Sequence, residues 1–554
     1  MSPWQRFFKK PMRVKELIKK RRTEKNKEDK NNKKETWQEL SPELALNVKY
    51  LKDTLGQSDD VIFREYTVQL GRPLQIMLIF IDGMSSKEII NKYILEALTL
   101  DSDMKAEWER KFGEEDLVLA VRDRLLTIDE VKVVTTYPEI MAAVLSGETA
   151  ILFEGEAQAI IANTRGWEHR GIDEPQTESV VRGPRVGFNE VLKSNTAQIR
   201  RWIRDPNLRI KNLQLGTRTK TDISICYIHG IANPKIVDEV KQRLERIEID
   251  GILESSYLEE MIEDSVLSVF PTVQSTERAD RVAAGLLEGR VAIVTDNTPF
   301  VLLVPVTFWQ LYYAAEDYYQ RWPLATLLRA IRFLAFFFSL YLPALYIALA
   351  SHSPELIPFK LAVAIAGTRE GVPFPVFFEA LIMEVAIEII REASARLPGS
   401  LGQTIGIVGG FILGDAAVRA GLISPMITII VALTAISSFT APSYAVAVSN
   451  RLLRFPLMVI ALIGGLYGLS IASIFIIIHL ASIRSFGTPY LAPVTPFRAR
   501  DMKDTFFRVP WWAMADRPGM YRPLDWMRLK GPASWWSRLL NPSQRGELKG
   551  GEGE

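Results

Sequence analysis

The apolar runs between positions 330 and 483 constrain this chain more than any other feature. Residues 420–450 carry no charged side chain, and neither do residues 455–483, where only His479 could titrate. A third uncharged run covers residues 333–350. About 20 consecutive apolar residues suffice to cross a bilayer as a helix. The sequence therefore predicts a polytopic α-helical membrane domain over residues 329–483, preceded by a long water-facing region. Spans are expected at about 332–350, 421–448 and 455–482, with Arg329, Arg332, Arg451, Arg454 and Arg484 flanking them. A fourth is expected within 355–420, with 376–397 as the best candidate; the Gly-rich 402–420 reads as either a short crossing or a re-entrant piece.

Charge is segregated along the chain. The 554 residues carry a net charge of +2, yet residues 1–36 hold 14 Lys/Arg against 5 Asp/Glu. Residues 1–40 read as a basic disordered arm, either drawn to anionic lipid or simply solvated. The opening MSPWQRFFKKPMRVKEL has no apolar core of the signal-peptide kind, so the water-facing region is expected in the cytoplasm. Residues 484–554, rich in Trp and Arg, carry 12 Lys/Arg against 7 Asp/Glu and are expected on the same side. Both termini inside requires an even number of crossings. The single cysteine, Cys226, excludes an internal disulfide framework and reads as a small core residue.

The water-facing region reads as two mixed α+β or α/β subdomains, 41–165 and 189–320, joined by a linker at 166–188 that is rich in charge, Gly and Pro. In the first, 61–70 and 74–82 form a hairpin, helical periodicity follows at 86–100 and 113–126, and short strands lie at 131–136, 149–155 and 158–164. In the second, helices are expected at 189–204, from Pro234 to about 247, at 256–265 and at 278–288. Strands are expected at 221–230, 290–296 and 299–306. The basic stretch 200–220 is read as a charged surface.

The most informative membrane segment is VFFEALIMEVAIEIIREASARLP, residues 376–398. Glu384 and Glu388 are four apart and share a helix face with Arg391, and Glu379 and Glu392 flank it. Ionisable groups at membrane depth face water or protein. Three readings stand: a carboxylate-lined pore for cations, an interior ion pair, or an interfacial helix. Gly402, Gly406, Gly410 and Gly414 recur every four residues, and Gly464 and Gly468 repeat the pattern; helix packing is expected there. Asp415 is either a second polar element of an ion pathway or a partner of Arg419. Arg182, Arg185, Arg200, Arg201 and Arg204 are candidates for contact with a partner or with lipid headgroups. Aromatic interleaving there is nearly absent, which argues against nucleic acid. Trp511, Trp512, Trp526, Trp535 and Trp536 suit the headgroup level or a partner strip. No phosphate-binding loop, dinucleotide fingerprint, zinc-protease or serine-hydrolase motif occurs, and the four histidines are scattered. Neither catalysis nor a cofactor is expected.

Several long motifs carry a resemblance: SVVRGPRVGFNE (179–190), NTAQIRRWIRDPNLR (195–209), KTDISICYIHGIANP (220–234), IDGILESSYLEEMIED (249–264), REGVPFPVFFEALIMEVAIEIIREASARLP (369–398) and PYLAPVTPF (489–497). In this order they resemble the A subunits of the GerA family of spore germinant receptors. SPELALNVKYLKDTLGQSDDVIFRE (41–65) further resembles the stage V sporulation AF-type branch. The resemblance implies a multi-pass protein of the spore inner membrane, acting with a permease-like B subunit and a lipoprotein C subunit. It also implies a homo-oligomer that passes on a nutrient signal, as a gated pore for monovalent cations or as a non-conducting scaffold.

Overall fold

The computed structural model describes residues 39–529, apart from 71, 99–117, 119–120, 123–127, 129, 167–173, 176, 398–408 and 411–412. The basic arm, most of the helical stretch expected at 113–126, part of the linker, Gly402, Gly406, Trp535 and Trp536 lie outside the described residues. The chain divides into two compact units, 1–167 with 204–206, and 168–203 with 207–554.

The first unit is built on a five-stranded sheet in the order β1-β2-β4-β5-β3. The expected hairpin is β1 (Val61–Leu70) and β2 (Arg72–Ile81), paired from Val61↔Ile81 to Leu70↔Arg72. The others are β3 (Val131–Val134), β4 (Thr149–Phe153) and β5 (Ala159–Ala162). Every residue of β4 and β5 is buried, as befits the apolar runs TAILF and AIIA. Ile76, Leu78, Phe80, Ile151 and Ile160 pack with Ile90, Ile94 and Leu98 of a helix capped by the Ser86 hydroxyl.

The second unit begins with a three-layer sandwich. Its sheet runs β6-β7-β9-β10-β8, from β6 (Leu208–Leu215), β7 (Thr221–Ile228), β8 (Gln274–Thr276), β9 (Val291–Thr295) and β10 (Val301–Val304). Its helices are α1 (Leu192–Trp202), α2 (Pro234–Glu245), α3 (Ser255–Ile262) and α4 (Ala279–Leu287). Side chains alternate across a strand. Hence Ile210, Cys226, Val294 and Leu303 meet Ile199, Val282 and Leu286 on one face. On the other, Ile223, Ile225, Ile293 and Leu302 meet Ile236, Val240, Leu244 and Leu258. In both sheets every strand pairing is antiparallel, which makes the class α+β rather than doubly wound α/β. The stretch 200–220, read as a charged surface, contains β6: in LRIKNLQL the basic residues alternate with buried Leu208 and Ile210. Residues 177–188, read as linker, lie against this sandwich. Arg278 donates to the Glu178 and Pro184 carbonyls, and Phe188 N–H to Glu277 O.

A helical bundle follows: α5 (Trp322–His352), α6 (Phe359–Arg369), α7 (Val376–Arg396), α8 (Pro425–Ser438) and α9 (Tyr444–Ser482). Among the described residues, α5 and α9 are long and apolar enough to cross a membrane, and α8 is a shorter apolar helix. The expected span 421–448 is corrected: α8 stops at Ser438, because Pro442 in FTAPSY cannot continue the helix. Arg451 and Arg454, expected to flank spans, lie inside α9, where carboxylates of α7 neutralise them.

Helix α9 is itself two arms. Gly465 leaves helical geometry at φ 55°, ψ −143°. The chain turns back there: a Cβ on Gly468 would lie 3.1 Å from the carbonyl oxygen of Ile460. The lower ends of both arms meet one segment of the sandwich. Ser449 Oγ donates to Val269 O, and His479 Nε2 shares a 3.0 Å hydrogen bond with Ser268 Oγ. Residues 444–464 therefore ascend and 466–482 descend, each arm about 25–30 Å long. The apolar core combines Leu340, Ala344 and Ile347 of α5, Ala380 and Met383 of α7, Ile427 and Val431 of α8, and Met458 and Ala461 of the first arm.

The tail returns to the sandwich. Ser485 Oγ donates to Thr272 O and accepts from Val306 N–H, and Tyr490 OH donates to Pro271 O. The tail is thus held at the end of the bundle from which α5 starts.

Candidate functional site in the helical bundle

Helix α7 presents carboxylates at successive levels to its neighbours. Glu379, 0% exposed, accepts from Arg369 Nε at 3.3 Å and from Ser424 N–H at 2.8 Å. Ser424 is the N-cap of α8, where unpaired N–H groups favour an anion. Glu384, 1% exposed, pairs with Arg454 Nη1 from the first arm of α9, and Arg454 Nε donates to Ser339 O of α5 at 2.8 Å. One turn on, Glu388 accepts from Arg391 Nη1 at 2.8 Å and Arg451 Nη1 at 3.1 Å. Arg391 also donates to Ser438 Oγ at 3.1 Å and lies over the Phe439 ring.

This ladder ties α5, α7, α8 and α9 together through charge. Its middle rung is incompletely satisfied: Glu384 Oε1, Arg454 Nη2 and Asn450 Oδ1 are buried without a hydrogen-bond partner. Asn450 Nδ2 reaches Ser339 Oγ at 3.3 Å and Tyr312 OH at 3.4 Å, so the same cluster touches the segment entering α5. A buried polar group lacking a partner costs about 1–3 kcal/mol, so part of what this ion pair contributes is offset within the rung itself.

A second cluster collars the base of α5. Asp317 takes both Arg329 and Arg332, Arg329 Nη1 donates to Asp504 Oδ1 at 2.9 Å, and Tyr318 OH donates to Asp504 Oδ2 at 2.7 Å. Arg329 is fully buried over the Tyr313 ring. Asp317 and Asp504 have no local sequence signal; only the fold brings them to one arginine.

The remaining candidate residues are dispersed. Asp415 pairs with Arg419 at 2.8 Å and is exposed, as is the Glu392–Arg396 pair. A Cβ on Gly410 or Gly464 would meet nothing within 4 Å, and one on Gly414 would touch the Thr428 methyl at 3.5 Å. The glycine that shapes the hairpin is Gly465, under His352, whose Nε2 lies 2.7 Å from Leu462 O. Arg200 is buried in α1, whereas Arg182, Arg201 and Arg204 are exposed, and Arg185 pairs with Glu174 at 3.0 Å.

A cavity of about 530 Å³ opens between α4, residues 313–319 and the tail, walled by Trp202, Tyr313, Tyr318, Tyr319 and Trp511. Its arginines are already engaged: Arg281 with Glu178, Arg517 with Leu287 O, and Arg528 with Glu288.

Residues 49–520 match the model of the Bacillus/Clostridium GerA spore germination protein family. The chain is 44% identical to spore germination protein KA of Bacillus subtilis, over 86% of this chain and 87% of that protein. It is 42% identical to the uncharacterized membrane protein YfkQ of the same organism, over 87% and 92%. It is also similar to the crystal structure of the N-terminal domain of the A subunit of the Bacillus megaterium spore germinant receptor GerK3. That match has 31% identity and TM-score 0.39, over 49% of this chain and 98% of that one. The chain is a membrane protein that belongs to the GerA family of spore germination proteins.

Proposed function

We propose that this chain is the A-type, signal-transducing subunit of a germinant receptor in the spore inner membrane. It acts as a homo-oligomer beside a permease-like B subunit and a lipoprotein C subunit. One observation carries the reading: the sandwich grips the helical hairpin at both lower ends, through Val269 and Ser268, while the collar grips α5. A rearrangement of either part is communicated to the other without a flexible joint between them. In the bundle α5 and the first arm of α9 lead away from the sandwich and the second arm leads back to it. α7 and α8 run parallel, since Glu379 meets Ser424 at their starts and Arg391 meets Ser438 at their ends. An even number of passages with both termini on the cytoplasmic side is the topology that the charge of the arm and tail favours.

Spores carrying Ser449→Ala with Tyr490→Phe test this reading. Receptor complexes recovered in normal amount with a lost or delayed germinant response are expected; an unchanged response overturns it.

Ion release is a separate question. Glu379, Glu384 and Glu388 are each engaged by arginines of the same chain, which favours a non-conducting, scaffold-like role for these carboxylates over a pore lining. Potassium flux through liposomes holding the purified oligomer decides between them. Flux that falls in Glu384→Gln/Glu388→Gln, with assembly intact, supports the pore. No flux from the assembled wild type with its B subunit supports the scaffold.

A further inference from the structure

The turn joining α3 to β8 has the wrong chemistry for water. Ser268 N–H donates to Ser265 O at 2.9 Å, closing a tight turn whose two corners are Val266 and Leu267. Turn corners are normally Gly, Pro, Asn, Asp or Ser, which suit the backbone or hydrogen-bond to it. Here both corners are apolar, 68% and 102% exposed. The turn is nevertheless held firmly from behind. Phe270 is buried against Phe308 and the His479 ring, and Ser268 and Val269 make the hydrogen bonds to His479 and Ser449 described above.

The turn therefore stands beside the lower ends of both hairpin arms. Just above it on the descending arm, Ile474, Phe475, Ile477 and Ile478 are exposed, as expected of side chains facing hydrocarbon. The neighbouring carboxylates are turned back into the protein. Glu263 accepts from Thr272 N–H at 3.2 Å, and Asp264 pairs with Arg243 at 2.7 Å and accepts from Phe486 N–H at 2.6 Å. Both carboxylates that immediately precede the turn, Glu263 and Asp264, are thereby engaged by protein groups.

We propose that the Val266–Leu267 turn is a membrane-dipping wedge, its two side chains seated at the headgroup–acyl boundary beside the hairpin. The lipid surface is its occupant because the patch continues the lipid-facing surface of the descending arm. Anchoring two such side chains fixes the height of the sandwich against the bilayer.

The test uses the full chain with Cys226→Ala, in nanodiscs of phosphatidylcholine and phosphatidylglycerol, which leave both faces open. A nitroxide is attached at Leu267→Cys and, as a solvent reference, at Lys241→Cys. Paramagnetic relaxation is compared for oxygen, which concentrates in lipid, and a water-soluble nickel chelate. The expected result is that oxygen dominates at 267 and the chelate at 241. A chelate effect at 267 equal to that at 241 makes the turn a solvent loop and overturns the proposal. Protection of 267 from both reagents also overturns it, since a second copy of the chain or another protein then covers the turn. Val266→Cys repeats the measurement at the other corner and guards against a local effect of one label.

Discussion

The sandwich and the bundle solve the same problem in opposite ways. In the sandwich two apolar faces of one sheet are filled by Ile, Val and Leu, and specificity comes from the period-2 alternation of its strands. In the bundle apolar contacts cannot distinguish one helix pairing from another, because lipid is as apolar as leucine. There the ion pairs Glu379–Arg369, Glu384–Arg454 and Glu388–Arg451 single out which helices meet and at what level. Shape sets the sandwich; charge sets the register of the bundle.

This contrast can be broken most severely at Arg454. Arg454→Leu leaves Glu384 buried and unpaired, and should cost about 4 kcal/mol, within the range for one-sided loss of a buried pair. The double variant Glu384→Leu/Arg454→Leu should recover most of it. Thermal unfolding in detergent reads both, and equal melting of the single and double variants would refute charge as the register device. The sandwich should instead respond to volume: Leu302→Ala, under a fully buried side chain, should cost about 3 kcal/mol. A loss below about 1 kcal/mol would mean that its core repacks freely. Between the two parts, Ser449→Ala removes one hydrogen bond, worth about 1 kcal/mol, and should raise deuterium exchange at 449–453 and leave the sheet unchanged.

A gentler probe uses pH. Burial, and then repulsion from Glu263, Glu254 and Glu260, pushes the Glu259 carboxyl up to about 7 from its ordinary 4.5. The folded chain then holds a proton that the unfolded chain has released. Glu259's contribution to stability is therefore full below about 4.5 and is lost as pH climbs through 7. Glu259→Gln should flatten that slope in urea midpoints taken between pH 5 and 7.5. The smallest effect is expected at the exposed Glu392–Arg396 pair: Arg396→Ala should change the melting free energy by less than about 0.5 kcal/mol.

Much of the sandwich was legible because its strands alternate or form short apolar runs. β6 is not, since its alternating Arg and Lys read as a charge cluster while Leu208 and Ile210 between them are buried in the core. In the bundle Glu384 and Glu388 announced themselves by being carboxylates among apolar residues. Their partners did not. Arg451 and Arg454 lie more than 60 residues away, and arginines near an apolar run look like flanks. Asp504 meets Arg329 only because the tail folds back, which no local pattern encodes. Gly464 and Gly468 read as a packing pair by their spacing, and the reversal at Gly465 between them has no periodic signal of its own.

The reversal at Gly465 has a mechanical consequence. Both feet of the hairpin stand on one three-residue segment, 268–270, so arm, turn, arm and segment form a closed linkage with no loose end. An open pair of rods can splay freely; a closed one has fewer independent motions. Tilting the ascending arm must swing the descending arm, pull on the segment, or bend the corner under His352. The pull on the segment reaches the sheet directly, since β8 begins four residues further on at Gln274.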